Sequence, residues 1–568
     1  MRRITRISLA LLSGLLMAAA WPTNGFAPLI FVAFVPLIYL QDRIGCQQLC
    51  SRQNNESTGQ QGKGSVFGLS FLTFLVWNTL TTWWVWNSTP AGAIAMLLLN
   101  SALMAFFFWL YHFTRKNVFK NKNGFFLLIL CFLSFENLHY NWQLNWPWLT
   151  LGNVFSHNHT WVQWYEFTGV AGGTIWVLMS NIVAYKIIKG LQDNKSIRQQ
   201  VSMIAIFLAL VVAPIVVSKI MYNSYEEKGE KVEVVVVQPN IDPWNEEFSL
   251  SSREILMRNF DLAIPLMTEN TRFVVSPESS IHESIWLDKV DSYFSIRNLK
   301  RFSNKYNDVA YVIGASTLGL MPEGQEVDFA ARKFYDADEY FYAYNTAFLV
   351  ADSLDVQWHQ KSRLTPGVEM MPSWWFLRPL SKLAIDLGGT VGTLKTEDAA
   401  TILTYRKQRD NETTRQQEVS STLQSHDSDS QYYKIAPMIC YESVFGGYVT
   451  EFVREGANII FVITNDGWWG NTPGHRQHFE MSKLRAIENR RSIARSANTG
   501  ISGFINQRGD VIEQTKYWEP DALRTELTLN EEMTFYSQHG DYLYRIGTFV
   551  AILVLCFSVV TSILRRKV

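Results

Sequence analysis

The stretch Ile435–Phe445, IAPMICYESVF, decides how this chain is read. A short apolar run of strand length ends in Cys440, and Tyr441 and Glu442 follow at once. A buried cysteine is most often a small apolar filler. A thiol at a strand end with a carboxylate close behind is better placed to attack a carbonyl, provided other parts of the chain bring a base and a cation to it. Cys440 is therefore the candidate nucleophile, and its partners must come from other strand ends.

The chain has 568 residues, with 51 Lys and Arg balanced by 51 Asp and Glu, so a nucleic-acid partner is not expected. Its 20 Trp and 36 Phe crowd toward the N-terminal third, where apolar runs of membrane-spanning length recur. Seven are read near Ile7–Ala20, Phe26–Leu40, Val66–Trp86, Ala91–Phe113, Phe125–Leu138, Trp161–Ile188 and Met203–Tyr222, and an eighth near Gly547–Leu564. Arg2, Arg3 and Arg6 before the first run, with Ala18–Ala20 at its end, also suit a cleaved secretory signal. Six runs follow closely, so a retained helix is expected.

Lys and Arg set the orientation. Arg43, Arg52 and Lys63, then Arg115, Lys116, Lys120 and Lys122, then Lys186, Lys189, Lys195 and Arg198 fall in alternate connections, and Arg565, Arg566 and Lys567 close the chain. The connections Asn87–Gly92 and His139–Thr160 carry none. Both termini are expected in the cytoplasm, with the long segment after the seventh span outside it. Of five cysteines only Cys440 lies in that segment, so it has no disulfide partner there. The expected division is a membrane domain over 1–222, an extracytoplasmic catalytic domain over 223–540, and a last span with a cytoplasmic tail over 541–568.

In the outer segment, Val232–Gln238, Arg272–Ser276, Val309–Ser316, Asn345–Ala351, Lys434–Cys440, Asn458–Asn465 and Gly500–Ile505 are apolar runs of strand length. Arg253–Met267 and His475–Arg495 have helical spacing, so an α/β domain with buried sheets is expected. The polar tract 407–431 reads as a solvated insertion of unassigned role.

Glu278 follows a strand in FVVSPESS, while Lys361 and Glu369 lie on one loop in HQKSRLTPGVEMMP. Each alone would pass for a surface charge. Together with Cys440 they supply what a thiol nucleophile needs. Glu278 would take the thiol proton and return it to the leaving group, and Lys361 would face the developing oxyanion and favour the thiolate. Glu369 and Glu442 would hold Lys361 or a second substrate, and Asn465 and Asp466 would orient the lysine or substrate. His475 and His478 sit close together at a helix start, but no third ligand accompanies them, so no metal or other cofactor is expected.

These motifs resemble the Glu-Lys-Cys triad of the nitrilase (carbon–nitrogen hydrolase) superfamily. With seven spans before the domain and one after, the whole is similar to the apolipoprotein N-acyltransferase family. NWPWLTLGN at Asn145–Asn153, GVAGGTIWVLMSN at Gly169–Asn181, QPNI at Gln238–Ile241, TNDGWWG at Thr464–Gly470 and SANTGISG at Ser496–Gly503 extend the resemblance along nearly the whole chain. It implies eight membrane helices and an αββα sandwich in a bacterial cytoplasmic (inner) membrane. It also implies transfer of a fatty acyl chain from a phospholipid, usually phosphatidylethanolamine, to the N-terminal S-diacylglyceryl cysteine of apolipoproteins. Tyr441, beside the nucleophile, belongs to the implied substrate-binding set. So does Trp244, which corresponds to a family tryptophan after the first domain strand. One departure is Pro366-Gly367-Val368-Glu369, where the family has Pro-Phe-Gly-Glu.

Met370, Met371, Trp374, Trp375, Phe376 and Leu377 after Glu369, with Trp468 and Trp469, would form a lid or lipid-facing wall over the thiol. Excluding water there would keep a thioester from being hydrolysed. Two alternatives stand: a membrane-tethered amidase or nitrilase that uses the same triad on water, and a sensor or transporter whose outer domain binds without turnover.

Overall fold

The computed structural model describes residues 2–53, 63–247, 249–371, 393–397, 399–407 and 432–567. The predicted polar insertion lies outside them except for Lys407, and Trp374 and Trp375 lie outside them altogether.

The N-terminal part is helical: α1 (Arg3–Ala20), α2 (Val35–Gln53), α3 (Lys63–Thr82), α4 (Pro90–Phe119), α5 (Leu127–Asn141), α6 (Tyr165–Gln192) and α7 (Ile197–Ser224). Local sequence sets several ends. Thr89 caps α4 by accepting from Gly92, and Pro90 opens the helix. Ser196 and Gln199 form a capping box at the start of α7. Seven described segments, including Tyr542–Leu564 near the C-terminus, are long and apolar enough to cross a membrane. The predicted span Phe125–Leu138 is not among them, because it forms the 15-residue α5. At 1.5 Å per residue α5 is about 22 Å long, short of a hydrocarbon core of about 30 Å. The chain continues from it through buried 3-10 turns at Pro147–Leu149 and Leu151–Phe155.

Charge inside the bundle is paired. Arg115 donates to Asp42 at 2.7 Å, and Lys189 and Tyr185 reach the same carboxylate at 2.6 Å. Such pairing is what low dielectric demands. Asp42 and Arg115 stand just beyond the runs read as spans, so the sequence did not place them inside.

The larger part holds β1 (Lys231–Gln238), α8 (Ser252–Ala263), β2 (Thr271–Val275), β3 (Ile281–Trp286), α9 (Phe294–Lys305), β4 (Ala310–Leu320), β5 (Arg332–Lys333), β6 (Tyr340–Val350), β7 (Gln357–Gln360), β8 (Leu403–Arg406) and β9 (Tyr432–Ile439). Then come α10 (Gly446–Arg454), β10 (Ile459–Thr464), α11 (Pro473–Asn489), β11 (Ile493–Ala497), β12 (Gly503–Ile505), β13 (Val511–Gln514), β14 (Asp521–Thr528), α12 (Phe535–His539) and α13 (Tyr542–Lys567). One sheet runs β14-β1-β2-β4-β6-β5, with β3 on β4 and β7 on β6; the other runs β13-β12-β11-β10-β9-β8. The cores β1-β2-β4 and β9-β10-β11 are parallel, as is β3 on β4, and the remaining pairs are antiparallel.

The sheets face each other across a core of Val234, Val236, Phe273, Val312, Ile435, Phe461 and Ile463. Strands buried on both faces read as continuous apolar runs, which is why they were visible in the sequence. Helices α8 and α9 cover the first sheet through Leu256, Ile296 and Leu299. The second sheet's outer face joins a different layer: Met438, Val462 and Leu484 belong to one apolar cluster with Trp84, Phe108, Trp148 and Val177 of the membrane helices. The sandwich therefore sits on the bundle with no water layer between them.

One predicted helix needs correction. His475–Arg495 divides into α11, ending at Asn489, and the strand β11, because Arg490 takes a left-handed φ of 48° and caps the helix. Arg495 and Ser496 gave β11 a polar look, yet all its residues are buried and Arg495 is neutralised by Asp466 at 2.7 Å.

Candidate active site

Cys440 stands where β9 gives way to a 3-10 turn, with φ at 51°. A left-handed non-glycine residue costs about 1–3 kcal/mol and persists only where its surroundings enforce it. The enforcing group is Glu442, which accepts from the Ile439 N–H at 2.8 Å and folds the turn back on the strand. Its other oxygen accepts from the Ser362 N–H at 2.7 Å. Glu442 thus fixes the nucleophile's turn to the backbone beside Lys361 without touching the ammonium. Behind it lies His359, 3.3 Å from both Glu442 and Glu397. Burial disfavours the imidazolium, but the two carboxylates outweigh it and raise the ring to about 9.

Lys361 follows β7. Its ammonium donates to Glu278 at 3.0 Å and to Glu369 at 2.8 Å, and both lysine and glutamates are shielded from solvent. Burial alone would discharge it, but these two carboxylates hold its pKa well above the ordinary value. An ammonium has three N–H donors, so one is left for a ligand. Asn345 on β6 bridges the same two carboxylates, at 2.7 Å to Glu278 and 3.1 Å to Glu369.

Glu278 sits on a loop tied to β4, where Ser276 donates to Val312, Gly314 to Pro277 and Ser280 to Gly314. Gly314 is required there: a Cβ would stand 2.6 Å from the Glu278 Cα. The second Glu278 oxygen accepts from the Asn465 N–H at 3.1 Å. The Asn465 side chain donates to Glu247 at 2.8 Å, a carboxyl that burial pushes up to about 8.

Burial raises the pKa of the Cys440 thiol, Glu278 raises it further, and Lys361 opposes both. The lysine's charge is largely spent on two carboxylates, so the resting group is a thiol. Two carboxylates, Glu278 and more weakly Asp466, act on it to favour the protonated form.

Glu278, Lys361, Glu369, Asn465 and Cys440 line one cavity of about 430 Å³. Its remaining walls belong to the membrane part, with Trp84, Met96, Leu99 and Trp148 among them. Met371, Trp468 and Trp469 line it too, and Trp469 packs its ring 4.8 Å from Trp84 while its carbonyl accepts from Asn87 at 2.8 Å. Tyr441, also a wall residue, donates from its hydroxyl to the Asn145 carbonyl at 3.1 Å.

Three expected site residues stand apart from the cavity: Glu442, engaged in the turn as described, Asp466 and Trp244. Asp466 is occupied by Thr464 at 2.7 Å, His478 at 2.9 Å and Arg495 at 2.7 Å. These contacts outweigh its burial and hold the carboxyl well below the usual range, so it braces the turn through Thr464, His478 and Arg495. Trp244 is 52% exposed and touches the cavity only through Trp468, whose ring is 4.8 Å away. Among the described residues no cluster of side chains could hold a metal ion. His478 instead backs the nucleophile, with Nε2 3.2 Å from the Cys440 carbonyl. Asn345 and His359 escaped the sequence reading, although a polar residue opening an apolar strand and a histidine just before the lysine were visible signals. Nothing local marks Glu247.

Residues 13–183 match the model of the apolipoprotein N-acyltransferase N-terminal domain, and residues 329–533 match that of the carbon–nitrogen hydrolases. An apolipoprotein N-acyltransferase from Chlorobaculum tepidum is 27% identical over 547 residues, covering 94% of this chain and 92% of its own. The chain matches the apolipoprotein N-acyltransferase family along most of its length. A second member, from Geobacter metallireducens, is 25% identical over 551 residues, covering 94% of this chain and 91% of that one. Among solved structures, an amidase of the nitrilase superfamily from Nesterenkonia AN1 aligns over 56% of this chain and 98% of its own, at 14% identity and a TM-score of 0.34. The hydrolase match takes in Lys361, Glu369 and Cys440 and starts after Glu278. The N-terminal match takes in the residues that form the cavity's apolar wall.

Proposed function

We propose that this protein transfers a fatty acyl chain from a phospholipid to the α-amine of the S-diacylglyceryl cysteine at the start of apolipoproteins, through a thioester on Cys440. The observation that carries this reading is the single cavity shared by the Cys440 thiol, Glu278, Lys361 and the apolar side chains of the membrane helices. A hydrolase acting on a water-soluble amide has no use for such a wall.

In the first half-reaction Glu278 takes the Cys440 proton as sulfur attacks an ester carbonyl of the donor. The free Lys361 N–H meets the tetrahedral oxyanion. Collapse expels the lysophospholipid alkoxide, which receives the proton held by Glu278. In the second, Glu278 takes a proton from the acceptor amine as its nitrogen attacks the thioester, and the thiolate leaves and is reprotonated. Glu369 and Asn345 keep Lys361 and Glu278 in register throughout, and Glu442 keeps the turn.

The donor is assigned as phosphatidylethanolamine. The chain is placed in a bacterial inner membrane with both termini cytoplasmic and the sandwich outside, following its alternating Lys and Arg. Residues 1–222 and 541–568 then form the membrane domain and 223–540 the catalytic domain. Purified protein should carry a hydroxylamine-sensitive fatty acyl adduct on Cys440 by intact mass, absent from Cys440→Ala. Labelled phospholipid should load the thiol, and a diacylated lipopeptide should discharge it. Absence of the adduct, or discharge by water as fast as by the lipopeptide, would sink the reading.

A further inference from the structure

Part of the cavity lining does not fit a purely apolar role. Asn100 on α4, His139 on α5, and Asn145 and Trp146 just after α5 all line it, and each leaves a buried polar atom without a hydrogen-bond partner. These atoms are Asn100 Oδ1, His139 Nε2, Asn145 Oδ1 and Trp146 Nε1. Asn100, His139 and Asn145 are 3%, 2% and 7% exposed, so bulk water does not serve them. A buried polar atom left unpaired costs about 1–3 kcal/mol, and four around one cavity call for a shared partner.

Their signs identify that partner. His139 Nδ1 accepts from the Trp146 N–H at 2.9 Å, so in the neutral ring Nε2 carries the hydrogen and is a donor. Trp146 Nε1 is a donor as well. Asn100 commits its amide nitrogen to Asn78 at 2.6 Å, which leaves its oxygen as an acceptor, and Asn145 Oδ1 is a second acceptor. None of the four is charged, and the one cationic side chain among the described lining residues is Lys361. A phosphate is therefore a poor occupant. An ester would satisfy the donors and leave both asparagine oxygens orphaned. A secondary amide, with C=O and N–H together, answers both signs.

The cluster also adjoins the nucleophile. The Asn145 carbonyl accepts from Tyr441, and the Trp146 ring stacks on the Tyr441 ring at 6.4 Å. In the acceptor, the first peptide bond is separated from the attacking amine only by Cα. We propose that Asn100, His139, Asn145 and Trp146 form a neutral amide-binding subsite that holds the first peptide bonds of the acceptor beside the Cys440 thioester. This rests on the acyl-transfer reading above.

The test uses the full-length protein in detergent, loaded with phosphatidylethanolamine and discharged with either a diacylated lipopeptide or its depsipeptide, in which an ester replaces the first peptide bond. Trp146→Phe keeps a ring and removes one donor. His139→Asn keeps an acceptor for the Trp146 N–H and removes the other. Asn145→Ala removes an acceptor. Each should slow discharge by the amide lipopeptide about three- to tenfold while loading of Cys440 stays at the wild-type rate. Wild-type protein should favour amide over ester several-fold, and Asn145→Ala should lose that preference. Slowed loading in all three variants would give the subsite to the donor lipid and overturn the proposal, as would equal losses with the amide and the ester acceptor in Asn145→Ala. If wild-type protein never loads, the acyl-transfer reading itself fails, an outcome distinct from failure of the subsite.

Discussion

The two walls of the cavity differ in how they were built. The sandwich contributes Glu278, Lys361 and Cys440 just beyond strand ends and Glu369 from the loop after Lys361, in a setting restrained by hydrogen bonds to backbone or between side chains. The membrane helices contribute Trp84, Met96, Leu99 and Trp148, held by packing. The difference is one of tolerance. Charged groups in a dry site must be placed to within a few tenths of an ångström, because their energies fall steeply with geometry. An apolar wall needs only shape, which suits a substrate whose binding part is a flexible hydrocarbon chain.

Four experiments bear on that contrast. The largest effect is expected on the charged wall: Glu278→Gln should slow thioester formation about 10²- to 10⁴-fold in a single-turnover mass assay, with phospholipid binding retained. A loss below tenfold would mean that another group takes the thiol proton. Next, Asp466→Asn removes the charge facing the fully buried Arg495 and should lower stability by about 3–5 kcal/mol, read as earlier thermal unfolding of the detergent-solubilised protein.

Third is a pH effect. The His359 ring is raised from 6.5 to about 9, so its cationic form is favoured by folding. That contribution is fully present below pH 6.5 and fades as pH rises through about 9. It amounts to about 3 kcal/mol, from roughly 1.4 kcal/mol per pKa unit. Thermal stability should fall across that window, and His359→Gln should flatten the slope. The smallest effect is expected on the apolar wall. Met96→Trp should cut turnover of a long-chain donor about tenfold and leave a short-chain donor unchanged, since a filled pocket excludes length without disturbing the chemistry. Equal losses with both donors would show that the two walls are not independent.

What the sequence disclosed follows from the same division. Strands β1, β2, β4, β6, β9 and β10 carry apolar runs long enough to be legible, and Glu278, Lys361 and Cys440 stood out by their combined chemistry. Strand β11 was hidden because its buried polar side chains are satisfied only by partners distant in sequence, Asp466 above all. Helix α5 was read as a span because composition reports apolarity but not where a helix stops. Asp466 looked like a site residue because it follows Asn465, and Trp244 because it matches a family tryptophan after the first domain strand; direction, which places one behind the turn and the other on the surface, is set by tertiary contacts. The shared cavity could not be foreseen, since its walls come from stretches more than 300 residues apart, as with Trp84 and Cys440.

The bond from the Tyr441 hydroxyl to the Asn145 carbonyl has a practical corollary for anyone wishing to simplify this molecule. It fastens the reactive thiol's neighbour to a loop embedded among the helices, so the globular portion cannot be cut free and kept in working order. A truncated version would retain Glu278, Lys361 and Cys440 but would be a vessel with one side missing, open to solvent where the helices now supply an apolar wall.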